Sequence, residues 1–514
     1  NQKFSILDDL PEKLVESGSY YVTLLSLYQE DFEFLKKYYR YRQNQVHVVL
    51  LDDAGPLVSS LLPAVHSYHV MQWMLKRGAE FDIVLFPLTR GIPYYTLLAK
   101  HQGWAFQETL FCVNCLSSTL WNKHLDKQWI DQIDDLAVDF LEKESVRLAD
   151  HLIYHKNDWL DSVKKEGWQL PKQVSFFSEG EAQTGYLSLF KQMGLRLQSS
   201  TSHIFSKNEN EEYPLVSVCL THFNRSHYLA QALASIRAQD YPYFEVILVD
   251  DASTEPEAIA YLESLSEEFQ SKGWKIIRNS HNLFPGAARN LAVSQSNGDY
   301  LLFMDDDNYA KTNQISTFVR VAKYVGADML TCAMDVFMGP HLPSDDVSPI
   351  HRFLPLGAAA SLGLYLNLFG DMNALIKKRA YIELGGLTEE REVGGEDWEF
   401  FSRAVLKGYH LETIPLALFW YRDTPSSITK TTHLYANSLR GIKAYLDSVP
   451  IHLRSNLVLS QAQQDKLQKL MKDYNDLGKL LKRCWVLFFF RAQRAVAHPR
   501  RTLKKILKKC GLRK

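Results

Sequence analysis

The feature of the sequence that most constrains its fold is a predicted strand, Tyr300–Met304, that runs directly into Asp305, Asp306 and Asp307. Three adjacent carboxylates repel one another, so holding them at a strand end is costly unless a cation compensates. Alternate residues of an extended chain share a face, so the outer two carboxylates can turn toward one ion. Oxygen ligands suit Mg²⁺ or Mn²⁺, which commonly bridges a carboxylate to substrate phosphates. The triplet therefore predicts a metal site, while a solvated turn is the alternative for any single polar triplet.

The aspartates belong to the second of two α/β series. Its predicted strands Leu215–Thr221, Phe244–Val249 and Lys275–Arg278 alternate with helical patterns, which favours a parallel sheet. The predicted helices are Tyr228–Ala238, Pro256–Phe269, Ala287–Ser294 and Asp397–Lys407. Two more strands end in polar residues, namely Thr221, Asn224, Arg225, Asp250 and Asp251. Ligands of open α/β sheets bind outside the carboxyl ends of the strands, so three polar ends predict one crevice.

Two glycine-containing turns supply further candidate residues. The turn His281–Gly286 opens a helix whose N-terminal amides favour anions. Arg289 on that helix can reach a phosphate or a carboxylate. In the segment Gly394–Asp397, two glycines allow close approach of a ligand to the backbone. The acidic residues there either cap the following helix or include a general base, Asp397, for an acceptor hydroxyl.

Length and composition predict several domains in one chain. At 514 residues the chain is too long for one ordinary core. Residues 19–180 form the first α/β series, with predicted strands at Tyr20–Leu27, Val46–Leu51, Asp82–Phe86, Thr109–Val113 and His151–Tyr154. Helices are predicted between them at Leu62–Lys76 and Trp129–Leu148. The prediction is a Rossmann-like α/β domain over 1–198, a linker over 199–212, a second α/β domain over 213–435 and a helical region over 436–514.

The C-terminal end is strongly basic. Leu477–Lys514 holds 13 of the 58 Lys and Arg residues and no Asp or Glu, so the rest of the chain has 45 basic against 59 acidic residues. Together with apolar residues such as Cys484–Phe490, this pattern predicts an amphipathic segment attracted to an anionic membrane surface. A solvated basic end is the alternative. Nucleic acid is not an expected partner, because the acidic remainder of the chain would repel phosphate.

The lack of recognisable targeting signals and the use of cysteine predict a cytoplasmic location. No apolar run approaches the roughly 20 residues of a membrane-spanning helix, and Asn1–Leu10 lacks the pattern of a secretory signal. Six scattered cysteines in so long a chain fit a reducing compartment. Cys112 and Cys115 form a lone C-x-x-C in an apolar stretch. We expect buried structural thiols there, with a redox pair as the alternative.

Five segments, taken in order, resemble family 2 glycosyltransferases of the GT-A fold. They are Leu215–Arg225, Val246–Thr254, Asn282–Asn290, Gly298–Asn308 and Gly394–Phe400. The resemblance covers the second α/β series. It implies inverting transfer of a sugar from a nucleotide-diphosphate donor to a hydroxyl of a glycan or lipid-linked acceptor.

The resemblance also implies roles for individual residues. Asp305 and Asp307 would hold Mn²⁺ or Mg²⁺, with Asp306 near the ribose. Asp397 would be the catalytic base, with Glu396 shaping the acceptor side. The donor pocket would be lined by Thr221, Asn224, Arg225, Asp250, Asp251 and Arg289. Trp420–Arg422 resembles a segment near the diphosphate, but the histidine that often follows it as a metal ligand is missing, and the first later one is His433.

The resemblance extends unevenly to the rest of the chain. Processive polymer synthases of this family usually have membrane spans and a Q-x-x-R-W motif, and this chain has neither, which favours addition of one or a few sugars. Residues 19–180 resemble the N-terminal half of a GT-B, family 4 glycosyltransferase, through Phe81–Gln102 and Leu148–Trp168. No nucleotide-binding second half of that fold follows, so we expect a non-catalytic domain or one that docks the acceptor.

The resulting hypothesis is a cytoplasmic, peripherally membrane-bound enzyme of cell-surface polysaccharide synthesis. One alternative is a nucleotidyltransferase acting on sugar phosphates, with similar carboxylates and metal. Such an enzyme needs a loop rich in Gly and Lys or Arg after the first strand to hold a triphosphate. The segment Thr221–Ser226 at that place contains only one such residue, Arg225. A second alternative is a non-catalytic glycan-binding scaffold, which has no need of Asp397 or of the aspartate triplet.

Overall fold

We describe the protein from a computed structural model, which covers residues 10–17, 20–39, 46–51, 56–77, 80–178, 182–199, 213–343, 348–424, 431–467 and 469–470. The chain divides into two compact units, Asn1–Tyr445 and Leu446–Lys514. The first unit includes both predicted α/β series. Residues 200–212 of the predicted linker lie outside the described residues, and the domain boundaries drawn from the sequence stay predictions.

Strands and helices alternate along the first unit. The strands are β1 (Val22–Ser26), β2 (Val46–Leu50), β3 (Val58–Ser59), β4 (Ile83–Pro87), β5 (Leu110–Cys115), β6 (His151–Tyr154), β7 (Val174–Phe176), β8 (Val216–His222), β9 (Phe244–Asp250), β10 (Lys275–Arg278), β11 (Tyr300–Asp305), β12 (Tyr309–Ala310), β13 (Met329–Phe337), β14 (His351–Phe353), β15 (Leu375–Lys377) and β16 (Leu411–Arg422). The α-helices are α1 (Leu10–Glu16), α2 (Gln29–Tyr38), α3 (Leu62–Arg77), α4 (Tyr94–His101), α5 (Thr119–Leu125), α6 (Ile133–Leu148), α7 (Asn157–Lys165), α8 (Ala182–Ser199), α9 (Ser226–Arg237), α10 (Pro256–Ser264), α11 (Ser266–Lys272), α12 (Phe284–Ser294), α13 (Gln314–Val325), α14 (Ala360–Gly363), α15 (Lys378–Leu384), α16 (Glu396–Leu406), α17 (Leu434–Gly441) and α18 (Lys443–Ser448).

Most predicted elements are confirmed, strand ends are shifted by no more than two residues, and the larger differences lie in the helices. The single helix predicted over Pro256–Phe269 is wrong, because α10 ends at Ser264 and α11 begins at Ser266. The helix predicted from Ala287 begins three residues earlier, since a proline in the first helical turn loses no hydrogen bond. The helix predicted from Trp129 begins only at Ile133, where the side chains of Gln132 and Asp135 form a capping box.

A single large sheet runs through the second α/β series. Within it β10, β9, β8 and β11 are parallel neighbours in that order. β15 pairs antiparallel with β11 and with β13, and β16 runs parallel to β13 and antiparallel to β12. Every residue of β8 is buried, as expected for a parallel strand covered on both faces. The strand order reverses between β8 and β11, which is the switch point where open α/β sheets bind their ligands.

Helices cover both faces of this sheet. Successive residues of a strand point to opposite faces, so Val218 and Cys219 of β8 belong to different apolar cores. Val218 shares its core with Leu233 of α9 and Phe318 of α13. The other core includes Phe400 of α16, and this packing fixes α16 against the sheet. The result is a three-layer α/β architecture, and the predicted fold class is confirmed.

The first α/β series forms a smaller parallel sheet in the order β4, β5, β6 and β7, beside a separate parallel pair of β1 and β2. It is joined to the large sheet, because β3 pairs with β14 at the sheet's edge. The hydroxyl groups of Tyr94 and Tyr95 also donate hydrogen bonds to the carbonyls of Leu356 and Pro355, at 3.1 and 2.8 Å. The two α/β series therefore share backbone pairing and buried hydrogen bonds.

The C-x-x-C pair lies on β5 and is structural, as predicted. Cys112 and Cys115 are buried free thiols. Burial raises the pKa of the Cys112 thiol to about 12, so the reactive thiolate is scarce at neutral pH.

The second unit is helical where it is described. A turn of 3₁₀ helix at Ile451–Leu453 leads into helical residues 454–467. The basic segment Leu477–Lys514 lies outside the described residues. Among the helices that the structure describes, none combines the length and the apolar character needed to cross a membrane.

Candidate active site

The carboxyl ends of β8, β9 and β11 bring the predicted polar residues to one edge of the large sheet. Thr221 is in register with Asp305, and His222 is in register with Asp250. The hydroxyl of Thr221 donates a hydrogen bond to Oδ1 of Asp305 at 3.1 Å. The polar strand ends therefore meet at the switch point of the sheet, where a ligand crevice is expected.

The middle aspartate of the triplet faces inward. Asp306 is fully buried, and its carboxylate accepts hydrogen bonds from Nδ1 of His222 at 2.7 Å and from the guanidinium of Arg225. Its neighbours are more open, with 33% of the Asp305 side chain and 14% of the Asp307 side chain exposed. The buried carboxylate anchors the loop, while the outer two border the crevice.

Two arginines neutralise the carboxylates of the crevice. Arg225 pairs with Asp306 and, at 2.6 Å, with Asp307. Arg289 is nearly buried, with 4% of its side chain exposed, and its two terminal nitrogens each lie 2.7 Å from a carboxylate, one of Asp305 and one of Glu396. Arg289 thus ties the end of β11 to the start of α16.

Charge and burial act in opposite directions on the two outer aspartates. Burial favours the neutral form of Asp305, but the charge and hydrogen bond of Arg289, the charge of Arg225 and the hydrogen bond of Thr221 together hold its pKa below the ordinary value. Burial raises the pKa of Asp307 to about 6, against the charge of Arg225 and with the help of Asp306 and Asp305. The crevice is therefore crowded with negative charge even with both arginines in place.

The start of α16 presents the predicted base. Gly395 precedes the helix with φ of +80°, a conformation that favours glycine. Asp397 accepts a hydrogen bond from the side-chain amide of Asn367 at 3.0 Å. Burial and the neighbouring charge of Glu396 raise the pKa of Asp397 to about 6. A carboxylate with a pKa near neutrality is well matched to accept a proton.

Three of the predicted donor-binding residues accept hydrogen bonds that hold neighbouring loops in place. Asp250 is buried and accepts hydrogen bonds from the amide and hydroxyl of Ser253, at 3.1 and 2.5 Å. Asp251 accepts hydrogen bonds from two backbone amides and one side chain of the loop 279–284. The side-chain oxygen of Asn224 accepts hydrogen bonds from the amides of residues 254 and 255 at the start of α10. These contacts shape the rim of the crevice.

The segment predicted to lie near the diphosphate, Trp420–Arg422, forms the end of β16, and its arginine is buried. Arg422 is 2% exposed and donates hydrogen bonds to the backbone carbonyls of Asp307 and Gly339, and its guanidinium lies over the ring of Tyr228 at 4.3 Å. It therefore fixes the backbone of the aspartate loop from inside the fold. His433 is an exposed residue at the N-terminus of α17.

Sequence reasoning missed Asn367 as a residue of this site and gave His222 no role of its own. His222 belongs to the polar strand end that includes Thr221, but only the fold shows that its ring meets Asp306. Asn367 precedes β15, which pairs antiparallel with β11. That pairing is long-range, and no local spacing in the sequence announces it.

The aspartates of the crevice are chemically suited to bind a divalent cation, although the described side chains do not form a complete metal site by themselves. Both side-chain hydrogen bonds that Asp305 accepts from described residues go to Oδ1, so Oδ2 is left to another partner. Within the described residues, no three His, Cys, Asp or Glu side chains are arranged to hold a metal. Mg²⁺ and Mn²⁺ are commonly held by one or two carboxylates together with substrate phosphates, and the aspartates of the crevice fit that mode.

Comparison with known proteins finds a family match for residues 217–384. These residues match the family model described as Glycosyl transferase family 2. The chain is 30% identical over 149 residues to the putative colanic acid biosynthesis glycosyl transferase WcaA of Escherichia coli strain K12. The matched region is 27% of this chain and 52% of that protein. It is also 30% identical over 129 residues to the poly(ribitol-phosphate) beta-N-acetylglucosaminyltransferase TarS of Staphylococcus aureus. That matched region is 25% of this chain and 22% of that protein. The chain therefore spans between about a fifth and about half of these relatives.

Solved structures show weaker likeness. A crystal structure of Staphylococcus aureus TarS 1-349 in complex with UDP is 20% identical, with a TM-score of 0.35, over 48% of this chain and 70% of that one. The mannosyltransferase PcManGT of Pyrobaculum calidifontis, in complex with GDP-Man and Mn²⁺, is 16% identical, with a TM-score of 0.36, over 64% of this chain and 93% of that one. The assignment of the fold rests on the strand order and on the family match.

Proposed function

We propose that the protein is an inverting, metal-dependent glycosyltransferase, because residues 217–384 match the model of glycosyl transferase family 2. It moves a sugar from a nucleotide-diphosphate donor to a hydroxyl of a glycan or lipid-linked acceptor. The observation that supports this most is the bridge of Arg289 from Asp305 to Glu396, at 2.7 Å on each side. The bridge holds the aspartate triplet and Asp397 on one crevice, as in-line displacement between two bound substrates requires.

The donor binds along the carboxyl ends of β8, β9 and β11. In this proposal Thr221, Asn224, Arg225, Asp250 and Asp251 surround the nucleoside, with Asp306 near the ribose. The guanidinium of Arg225 is about one third exposed, so it is accessible to the donor while it pairs with Asp307. Arg289 is nearly buried and acts through the carboxylates it holds.

Asp305 and Asp307 would hold Mn²⁺ or Mg²⁺, which when bound neutralises charge developing on the diphosphate leaving group. Asp397 accepts the proton of the acceptor hydroxyl as that oxygen attacks the anomeric carbon. The side-chain amide of Asn367 fixes the orientation of the Asp397 carboxylate. Since the base and the leaving group lie on opposite sides of the sugar, the configuration at the anomeric carbon is inverted.

We further propose a role in cell-surface polysaccharide synthesis, with addition of one or a few sugars for each acceptor. Relatives of this domain include a putative colanic acid glycosyl transferase and a putative teichuronic acid biosynthesis glycosyltransferase, TuaG of Bacillus subtilis strain 168. The first α/β series then serves as a non-catalytic or acceptor-docking part of the protein.

A panel of nucleotide sugars with Mn²⁺ tests the proposal. We expect one donor to raise the melting temperature of the full chain and to be turned over. Asp307→Ala should lower that metal-dependent turnover by about 100-fold or more, since the leaving-group charge loses its compensation. Asp240→Ala is the matched control, because Asp240 is an exposed aspartate that precedes the amino end of β9, whereas the crevice lies at the carboxyl ends of the strands. Full activity of Asp307→Ala would remove the metal assignment.

We propose that the basic segment Leu477–Lys514 attaches the protein to the inner face of a membrane. Its 13 Lys and Arg residues, without an acidic residue, would each gain about 1 kcal/mol near an anionic surface. Removing the segment should abolish sedimentation with anionic liposomes and leave binding of the donor unchanged. Neutral liposomes are the control. Undiminished binding of the truncated chain to anionic liposomes would assign the attachment to another part of the protein.

A further inference from the structure

The loop that leads to the proposed base contains a pair of glycines. Gly394 and Gly395 are followed by α16, and the pair ends two residues before Asp397. Glycine has the widest choice of backbone angles, and Gly395 uses this freedom, with φ of +80°. Residues 386–395, between α15 and α16, form neither helix nor strand. The glycine pair by itself does not fix where α16 begins, so the position of the base depends on other contacts.

Two side chains of α17 hold one peptide group of this loop from both sides. The carbonyl of Val393 accepts a hydrogen bond from Nη1 of Arg440 at 2.7 Å. The amide of Gly394, which belongs to the same peptide group, donates a hydrogen bond to Oδ1 of Asn437 at 2.8 Å. A peptide group is planar, so two hydrogen bonds on its opposite sides fix the orientation of the plane. Asn437 and Arg440 are three residues apart and therefore share one face of α17.

The guanidinium of Arg440 also holds the other stem of the loop. Its Nη2 donates hydrogen bonds to the carbonyl and the hydroxyl oxygen of Thr388, at 2.5 and 2.8 Å, and its Nε donates to the same hydroxyl oxygen at 3.1 Å. Its Nη1 lies 4.0 Å from Oε2 of Glu396, the first residue of α16. Only 2% of the Arg440 side chain is exposed. Arg440 therefore acts on the loop and not by contact with a bound substrate.

α17 also packs closely against the first two turns of α16. A Cβ atom at Gly441 would collide with the ring of Trp398. The backbone carbonyl of Gly441 accepts a hydrogen bond from the hydroxyl of Ser402 at 3.2 Å. A Cβ atom at Gly395 would lie 3.2 Å from the carbonyl oxygen of Asn437. The hydrogen bonds from α17 to the loop are therefore part of a tight contact that includes the glycine pair.

We propose that Arg440 and Asn437 are positioning residues for the base, because they fix the peptide group between Val393 and Gly394 and thereby set where the carboxylate of Asp397 lies. This inference rests on the proposed function. A general base must lie within hydrogen-bond reach of the hydroxyl that it deprotonates. A misplacement of about 1 Å can cost about 100-fold in rate. The proposed nucleoside pocket is built on β8, β9 and β11, so loss of these hydrogen bonds should slow transfer without weakening donor binding.

The split between turnover and donor affinity tests the inference in the full chain. The probes are UDP-glucose, UDP-N-acetylglucosamine and GDP-mannose, each with Mn²⁺, and the one that is turned over is used. Arg440→Met should lower kcat per folded molecule by about 10- to 100-fold and leave the Kd of the nucleotide sugar unchanged. Arg237→Met is the matched control and should keep kcat, because Arg237 pairs with Glu268 at 2.6 Å at the end of α9 that is remote from Arg225.

A pair of substitutions at Asn437 tests the same peptide group without removing a charge. Asn437→Leu leaves the buried amide of Gly394 without its acceptor, so kcat should fall by about 10-fold or more. Asn437→Asp keeps an acceptor oxygen at the same place and should keep most of kcat. A role limited to stability would lower the folded fraction in these variants and leave kcat per folded molecule unchanged.

Amide hydrogen exchange follows the loop without reference to activity. Peptides that cover residues 388–398 should exchange faster in Arg440→Met and in Asn437→Leu than in the unaltered protein, while β8 keeps its protection. Unchanged exchange there, unchanged kcat in both variants, or a Kd that rises in step with the loss of kcat would overturn the inference alone. If the unaltered protein turns over none of the nucleotide sugars, the proposed function fails, and the assignment of a base fails with it.

Discussion

Asp397→Asn is expected to bind the nucleotide sugar as the unaltered protein does and to lose sugar transfer by roughly 100- to 10,000-fold, the usual contribution of a positioned general base. The substitution keeps the size of the side chain, and its one amide oxygen can still accept the hydrogen bond of Asn367, while the hydrogen bond from the backbone amide of Trp398 is given up. It removes the carboxylate that accepts the proton. Donor affinity is measured by calorimetry with the nucleotide sugar, and transfer by product formation at saturating donor.

The pH dependence of transfer gives an independent check on this base. Burial and the charge of Glu396 raise the pKa of Asp397 to about 6, while Arg289 and Asn367 act in the opposite direction. A base works only when deprotonated, so kcat/KM should fall as the pH drops through about 6 and level off above it. Asp299→Asn, far from the crevice, should keep both the rate and the profile. A fully active Asp397→Asn would exclude this residue as the base.

The parallel core was predictable from the sequence because its signals are local. Leu215–Thr221 is an uninterrupted apolar and β-branched run, which is typical of a strand buried on both faces, and it became β8 with a shift of one residue. Lys275–Arg278 was predicted without error. The aspartate triplet was also visible, since polar residues directly after a buried strand mark the ligand-binding edge of an α/β sheet.

The remaining features depend on contacts between distant parts of the chain. The pairing of β3 with β14 joins residues about 300 positions apart, and two-residue strands leave no periodic pattern. The sequence left a phosphate or a carboxylate open as the partner of Arg289, and it did not single out Glu396. Asn367 had no local signal, since its contact with Asp397 joins residues 30 positions apart. These long-range contacts decide which carboxylates share the crevice.

Arg289→Met is expected to lower the free energy of unfolding by about 3 kcal/mol, the scale for removing one partner from a buried ion pair. Methionine keeps much of the apolar stem of arginine and removes its charge. The carboxylates of Asp305 and Glu396 then lose the cation that lies 2.7 Å from each of them, with 33% and 15% of their side chains exposed. Urea unfolding followed by tryptophan fluorescence measures the change.

Two further variants separate lost charge compensation from lost packing. Glu396→Gln in the Arg289→Met background removes one uncompensated carboxylate, so it should recover about 1 kcal/mol or more of the loss, a coupling that residues in direct contact commonly show. Arg379→Met is the matched control, because Arg379 is 87% exposed and solvent screens its pair with Glu383, so the stability should hardly change. If Arg289→Met were no more destabilising than this control, or if Glu396→Gln gave no recovery, Arg289 would not be what holds the triplet and α16 together. The position of Asp397 relative to the metal-binding aspartates would then have to depend on the apolar packing of Phe400 against the sheet.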